Sequence, residues 1–300
     1  MSAMPERLDT VLDMIPGPAP ATDVSSGKGK TDENFPVGSM LIARSLRPHV
    51  HAYYAFARAI DDIADNAVLP ADQKIARLDA MQAVLLGQQA SGPDLTPAEI
   101  ASAAGLRASL AQTGIDPSRG TDLIVAFRQD CVKSRYASWA ELLDYCRYSA
   151  NPVGLYLLDL HGEGVATHAP SDALCAALQV LNHLQDCKAD LDELGRCYLP
   201  ESWLAQAGQT VESVRGERLT TGLRQVLNQA LDQVDRLNQE AARLPGLIAD
   251  RRMRLEAAVI VGLSHRLARR LRRQDPLARR VKLSRGDVGV SLLATLRHLF

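Results

Sequence analysis

Two short acidic runs limit what this chain can fold into. The first is Asp61-Asp62-Ile63-Ala64-Asp65 and the second is Asp186-Cys187-Lys188-Ala189-Asp190. In each, carboxylates recur four residues apart inside a segment whose apolar positions follow a helical period, so they project from one helical face. Like charges at that spacing repel and weaken the helix. Two helices that carry such patches on otherwise apolar stretches need a positive partner, because burying unpaired charge is costly. Divalent metal is the obvious candidate: carboxylate oxygens suit Mg²⁺, which binds through a few carboxylates, several waters and substrate phosphates.

The remaining composition favours helices. Ala, Leu and Arg dominate, aromatics are only 4% of the chain, and the short β-branched segments of an all-β protein are missing, so a single all-α domain is expected. The 46% hydrophobic content over 300 residues is ample for a core. A net charge of −1 argues against a nucleic-acid binder. Cys131, Cys146, Cys175, Cys187 and Cys197 show no CxxC spacing, hence no zinc signature and no disulfide framework, and a reduced, cytoplasmic setting fits best. The N-terminus lacks a signal-peptide pattern, and no stretch approaches ~18 uninterrupted apolar residues, so the expectation is a soluble protein, at most peripheral to a membrane.

Residues 1–32 hold low-complexity runs such as Pro16-Gly17-Pro18-Ala19-Pro20 and read as a disordered leader, with the helical domain spanning 33–300. From Val37 the pattern turns helical, is interrupted at Pro48 and resumes to Asn66, placing Tyr54, Arg58, Asp61, Asp62 and Asp65 along one stripe. Another helix starts at Ala71, and Thr96-Pro97-Ala98-Glu99 carries the capping-box signal for the next. Ser138-Trp139-Ala140-Glu141 opens a helix through Leu160 that Asn151-Pro152 should kink. Ser149, Ala150 and Gly154 around that kink leave a groove for a long ligand, or let another helix approach. Ser171 to Asp192 is amphipathic: Leu178, Leu181, Leu184 and Leu191 face one way, while Gln179, Asn182, His183, Asp186 and Asp190 form a polar stripe. Further helices are expected near 210–243, 246–273 and 287–300.

One acidic run alone would read as a solvated helix face. Two runs, each continuing into a polar stripe on a half-apolar helix, favour metal and diphosphate. A diphosphate leaving group gains charge as its C–O bond breaks, and metal ions held between facing carboxylates neutralise it. Arg58, one turn before Asp61, either contacts phosphate or pairs with Asp62. The carbocation left behind needs a dry cavity with aromatic faces, for which Tyr54, Tyr145 and Tyr148 are candidates, with core packing as the alternative for each. His183 reads as structural, since no HExxH or ExxH spacing accompanies it, and no GxGxxG supports a nicotinamide cofactor. From Arg251 to Asp287, eleven arginines and one lysine stand against three acids, which reads as a solvated face that could also attract anionic lipid or substrate, aided by apolar Val288, Val290, Leu292, Leu293, Leu296 and Phe300.

With both motifs in place the chain, over roughly residues 32 to 290, resembles the squalene and phytoene synthase family of head-to-head prenyl diphosphate synthases. Tyr54 to Asp65 is similar to that family's first motif, YAFCRxxDDxxD, and Gln179 to Asp190 followed by Gly195-Arg196-Cys197-Tyr198-Leu199-Pro200 is similar to its second. The resemblance implies an isoprenoid synthase fold around a central cavity. It implies Mg²⁺ held by Asp61, Asp65, Asp186 and Asp190, with Asp62 beside them. It also implies a catalytic role for Tyr145 beside the cavity and substrate contacts from Phe35, Tyr54, Arg58, Gln179 and Asn182. There are departures: Gln185 stands where many members have arginine, Ala57 where cysteine is common, and Ser149 to Gly154 and Glu33 to Val37 differ from the usual segments. These variants resemble the bacterial hopanoid branch that converts presqualene diphosphate to hydroxysqualene. The alternatives are condensation of two farnesyl or geranylgeranyl diphosphates, or a non-catalytic helical protein that binds prenyl lipids.

Overall fold

The computed structural model describes residues 42–291 apart from 93, 285 and 288. Phe35, the N-terminal leader and most of the expected last helix lie outside them. The α-helices run in the order α1 (Arg47–Ala64), α2 (Ala71–Leu85), α3 (Pro97–Thr113), α4 (Ser118–Asp130), α5 (Trp139–Ser149), α6 (Asn151–Leu160), α7 (His168–Glu193), α8 (Glu201–Gln206), α9 (Thr221–Ala241), α10 (Leu244–Leu247) and α11 (Arg251–Arg273), with no strand among the described residues.

The first acidic run closes α1. Pro48 sits in its first turn, where a missing N–H leaves no bond unmade, so the proline starts this helix instead of interrupting one. Val50, Tyr53, Phe56, Ile60 and Ile63 form its buried stripe. That stripe joins α2, α3, α4 and α6 in one apolar cluster, which fixes the rotation of α1 and turns its acids to the other side. Truncating Ile60 to alanine would cost roughly 2–5 kcal/mol, the usual range for a buried aliphatic. Thr96 and Glu99 close both bonds of the expected capping box at α3. Helix α4 was not anticipated from the sequence, and it carries a residue central to the site.

A second cluster forms around α7, which packs Val180, Leu181, Leu184 and Leu191 against α5, α9 and α11. The acids of α7 therefore belong to a different core from those of α1. The single kinked helix expected over 138–160 is two helices: Ala150, at φ −126° and ψ −43°, ends α5, and Pro152 lies in the first turn of α6. Gly154 decides between the two readings of that region. A Cβ there would come within 2.5 Å of Ser171 Oγ and 2.6 Å of Cys175 Sγ, so the small residue exists to let α6 approach α7 closely. No helix among the described residues is long and apolar enough to cross a membrane.

Candidate active site

At the mouth of α1, Arg58 lies 3.2 Å from Asp61 and 2.8 Å from Asp62, with all three side chains partly exposed. The structure thus realises the pairing of Arg58 with the acids of its own helix. Tyr54, on the same stripe, is half-buried. Asp65 behaves differently. Its side chain is 8% exposed and binds Arg196 Nη1 at 2.6 Å.

On α7, Asp186 is met by Arg280, from the segment after α11: Nη2 donates to Oδ2 at 2.8 Å, and Nε lies 2.6 Å from Oδ1 without hydrogen-bond alignment. Next to it, Gln185 is 3% exposed and its amide donates to the Val281 carbonyl. The residue that replaces the family's common arginine is thus a structural clasp, holding the segment that carries Arg280 against α7. Asp190 is buried, with His183 Nδ1 3.8 Å away. His183 stacks on Tyr198 with ring centroids 3.5 Å apart and meets Gln179 at 3.2 Å between Nε2 atoms, so its environment is that of a packed structural histidine. Asn182 is half-buried on the same face.

The two acidic helices converge on Arg196. Gly195 at φ +66° takes the left-handed conformation that lets the chain turn back after α7, and the Arg196 N–H then bonds the Asp190 carbonyl at 3.0 Å. From there its guanidinium reaches Asp65 on α1 and donates through Nη2 to the Asp130 carbonyl at 3.1 Å. Asp130 is the last residue of α4 and 8% exposed. Its Oδ2 accepts the Tyr145 hydroxyl at 2.8 Å, while Oδ1 is buried without a hydrogen-bond partner. Burial pushes the Asp130 carboxyl up to about 7 against the pull of Arg196 and the Tyr145 bond, and the charges of Asp65 and Asp190 add to the rise. Tyr145 in turn packs against Tyr136, Tyr198 and His183 at centroid distances of 5.5, 5.7 and 6.1 Å.

Sequence reasoning missed Asp130, Arg196 and Arg280. Arg196 stood in the second motif without a role assigned to it, and Asp130 left a trace as an acid closing the apolar run Leu123-Ile124-Val125-Ala126-Phe127. The basic C-terminal region is also less free than its composition implies: Arg272 binds Asp232 and Asp235, and Arg270 binds Asp287.

The donors offered are carboxylate oxygens, the hard ligands that suit magnesium. Among the described residues no three His, Cys, Asp or Glu side chains converge as a ready metal site. Holding a metal there requires Asp61, Asp62, Asp65 and Asp186 to turn from their arginine partners.

A helical bundle with acid-bearing helices meeting across its two halves is the all-α isoprenoid synthase fold. The chain belongs to the squalene/phytoene synthase family, which it matches over residues 28–287. It is 42% identical to a hydroxysqualene synthase of Rhodopseudomonas palustris over 88% of this chain and 87% of that protein. It is 39% identical to one of Sinorhizobium fredii over 90% and 89%. Among solved structures, squalene synthase HpnC from Alicyclobacillus acidocaldarius superposes with a TM-score of 0.69 at 33% identity, covering 82% of this chain and 90% of that one. The chain is accordingly an enzyme that processes prenyl diphosphates.

Proposed function

We propose that this enzyme converts presqualene diphosphate to hydroxysqualene, releasing diphosphate with the help of Mg²⁺. The observation that carries this reading is that Arg196 joins the two acidic helices, its guanidinium on the Asp65 carboxylate of α1 and its N–H on the Asp190 backbone carbonyl of α7, in a chain whose hydroxysqualene synthase relatives match nearly its full length. Asp61, Asp62, Asp65, Asp186 and Asp190 would hold the metal, which when bound supplies positive charge to the departing diphosphate. The chain's own cations add to that. Arg58 and Arg280 sit on the acids of each motif and become available to anionic oxygen when those acids take metal. Tyr136, Tyr145 and Tyr198 form a buried aromatic cluster beside Asp130, with Tyr136 and Tyr198 stacked and Tyr145 tilted against both. Such faces stabilise a cation and keep bulk water from it. Phe35, Tyr54, Gln179 and Asn182 are proposed to contact the prenyl chain or its diphosphate, and residues 33–300 to form one domain.

The test is incubation of purified protein with presqualene diphosphate and Mg²⁺ in the absence of NADPH. Hydroxysqualene and free diphosphate are the expected products. Unchanged substrate, or squalene formed only when NADPH is added, overturns the proposal. Alanine at Asp61 or at Asp186 should lower diphosphate release by at least about 10²-fold, the scale on which loss of a charge-stabilising group acts.

A further inference from the structure

Asp130 belongs to neither acidic motif, yet it sits where both motifs meet. Three features of its surroundings are unusual together. It is 8% exposed at the end of α4, a depth at which a carboxylate is costly unless every oxygen is engaged. One oxygen takes the Tyr145 hydroxyl at 2.8 Å, but the other has no partner. Finally, the Asp130 backbone is tied through Arg196 to Asp65 on α1, so the carboxyl cannot drift away from the acids.

The direction of the Tyr145 bond matters most. A phenol has one proton to donate, and here Asp130 receives it. The Tyr145 oxygen is left with its lone pairs, and toward anything else in the site it is an acceptor. We infer that Asp130 is a positioning residue for water capture: it fixes Tyr145 as a hydrogen-bond acceptor and takes the proton that Tyr145 passes on.

This rests on the functional reading above. When water adds to the rearranged cation, a C–O bond forms and one water O–H bond breaks. That proton goes to the Tyr145 oxygen as the phenol's own proton crosses to the unprotonated Asp130 carboxylate. The products are a neutral alcohol, a neutral tyrosine and a neutral carboxylic acid, so atoms and charge balance with no further reagent. The burial that raises the carboxyl's affinity for protons suits it to accept one at neutral pH.

Asp130→Asn keeps the shape and the acceptor oxygen for Tyr145 but cannot take a proton, and Tyr145→Phe removes the relay from its other end without touching the carboxyl. With presqualene diphosphate and Mg²⁺, D130N should keep KM within about twofold and diphosphate release within a few-fold. The share of product recovered as alcohol should fall roughly tenfold or more, in favour of hydrocarbons formed by proton loss. In Y145F the alcohol share should fall at least as far, and that of the double variant should be no lower than that of Y145F alone, because the two residues act as one unit. A purely structural role lowers diphosphate release together with the alcohol share, because loss of the hydrogen bond then disturbs the whole site. Unchanged alcohol yield in D130N, additive losses, or loss of diphosphate release in folded D130N overturns the inference. If wild-type enzyme makes no alcohol, the functional reading fails and takes the relay with it. If wild type makes alcohol and D130N matches it, only the relay fails.

Discussion

On α1, Asp61 and Asp62 draw their positive partner from one turn back on the same helix, Arg58. On α7, Asp186 draws its partner from Arg280, 94 residues further along and clasped in place through Gln185 and the Val281 carbonyl. The first arrangement can form as soon as the helix does. The second exists only when the C-terminal segment has packed on α7. Freeing an acid on α1 takes a side-chain rotation, whereas freeing Asp186 means loosening a strap of chain. Between them lies the buried Asp65–Arg196 pair, with both side chains 8% exposed, which belongs to both halves at once.

The sharpest way to break this contrast is at that shared pair. Arg196→Leu strands Asp65 without its arginine and removes a donor from the Asp130 carbonyl. Loss of one partner of a buried ion pair typically costs about 3–5 kcal/mol. For a domain of this size that corresponds to a fall in Tm of roughly 10 °C, measurable by calorimetry. Adding Asp65→Asn should restore more than half of it, since the double variant leaves no unpaired charge at that position. A single variant that melts within about 2 °C of wild type would show that water reaches the junction and that the two halves are not joined by it.

The same junction predicts a pH signature. The Asp130 carboxyl is raised from 3.8 to about 7 in the folded protein, so the native state holds its proton more tightly than the unfolded chain. Its contribution to stability is therefore full below about pH 4 and is lost as pH rises toward 7. Compared with D130N, which has no proton to lose there, wild type should weaken across that window by about 1 kcal/mol per pH unit and run parallel above it. Parallel stability curves from pH 4 to 7 would mean that Asp130 is solvated.

Much of this was legible in the residues. The two acid runs, the capping box at Thr96 and the amphipathic α7 are all local patterns, and local patterns marked most of the helices and their inward faces, though not α4. Pro48 and Pro152 misled on continuity alone, because the same ring that breaks a helix interior is welcome in a first turn. What stayed hidden was pairing over distance. Arg280 is one of many arginines in a basic stretch, and nothing in its neighbours marks it as the partner of Asp186. Arg196 lies beside a glycine whose left-handed turn, visible only in three dimensions, sends it back between α1 and α4. Asp130 closes an apolar run, but the tyrosine that occupies it comes from the next helix.

The smaller effects test the contrast between the two routes directly. Arg280→Gln removes a hydrogen-bonded pair in which Asp186 is only 11% exposed, and should cost about 1.5 kcal/mol, the scale of a hydrogen bond to a charged group. Arg58→Gln removes two contacts whose acids are 31% and 35% exposed, where water already screens the charge. Exposed pairs at this helical spacing are worth about 0.3–0.5 kcal/mol, so the loss should sit near the limit of a denaturant midpoint measurement. Salt separates the two further: at about 1 M, where screening acts within roughly 3 Å, the Arg58 effect should vanish while most of the Arg280 effect survives. Equal losses in both variants, or equal sensitivity to salt, would mean that the clasp formed by Gln185 and Val281 does not shelter Asp186, and that the two acidic helices are neutralised alike after all.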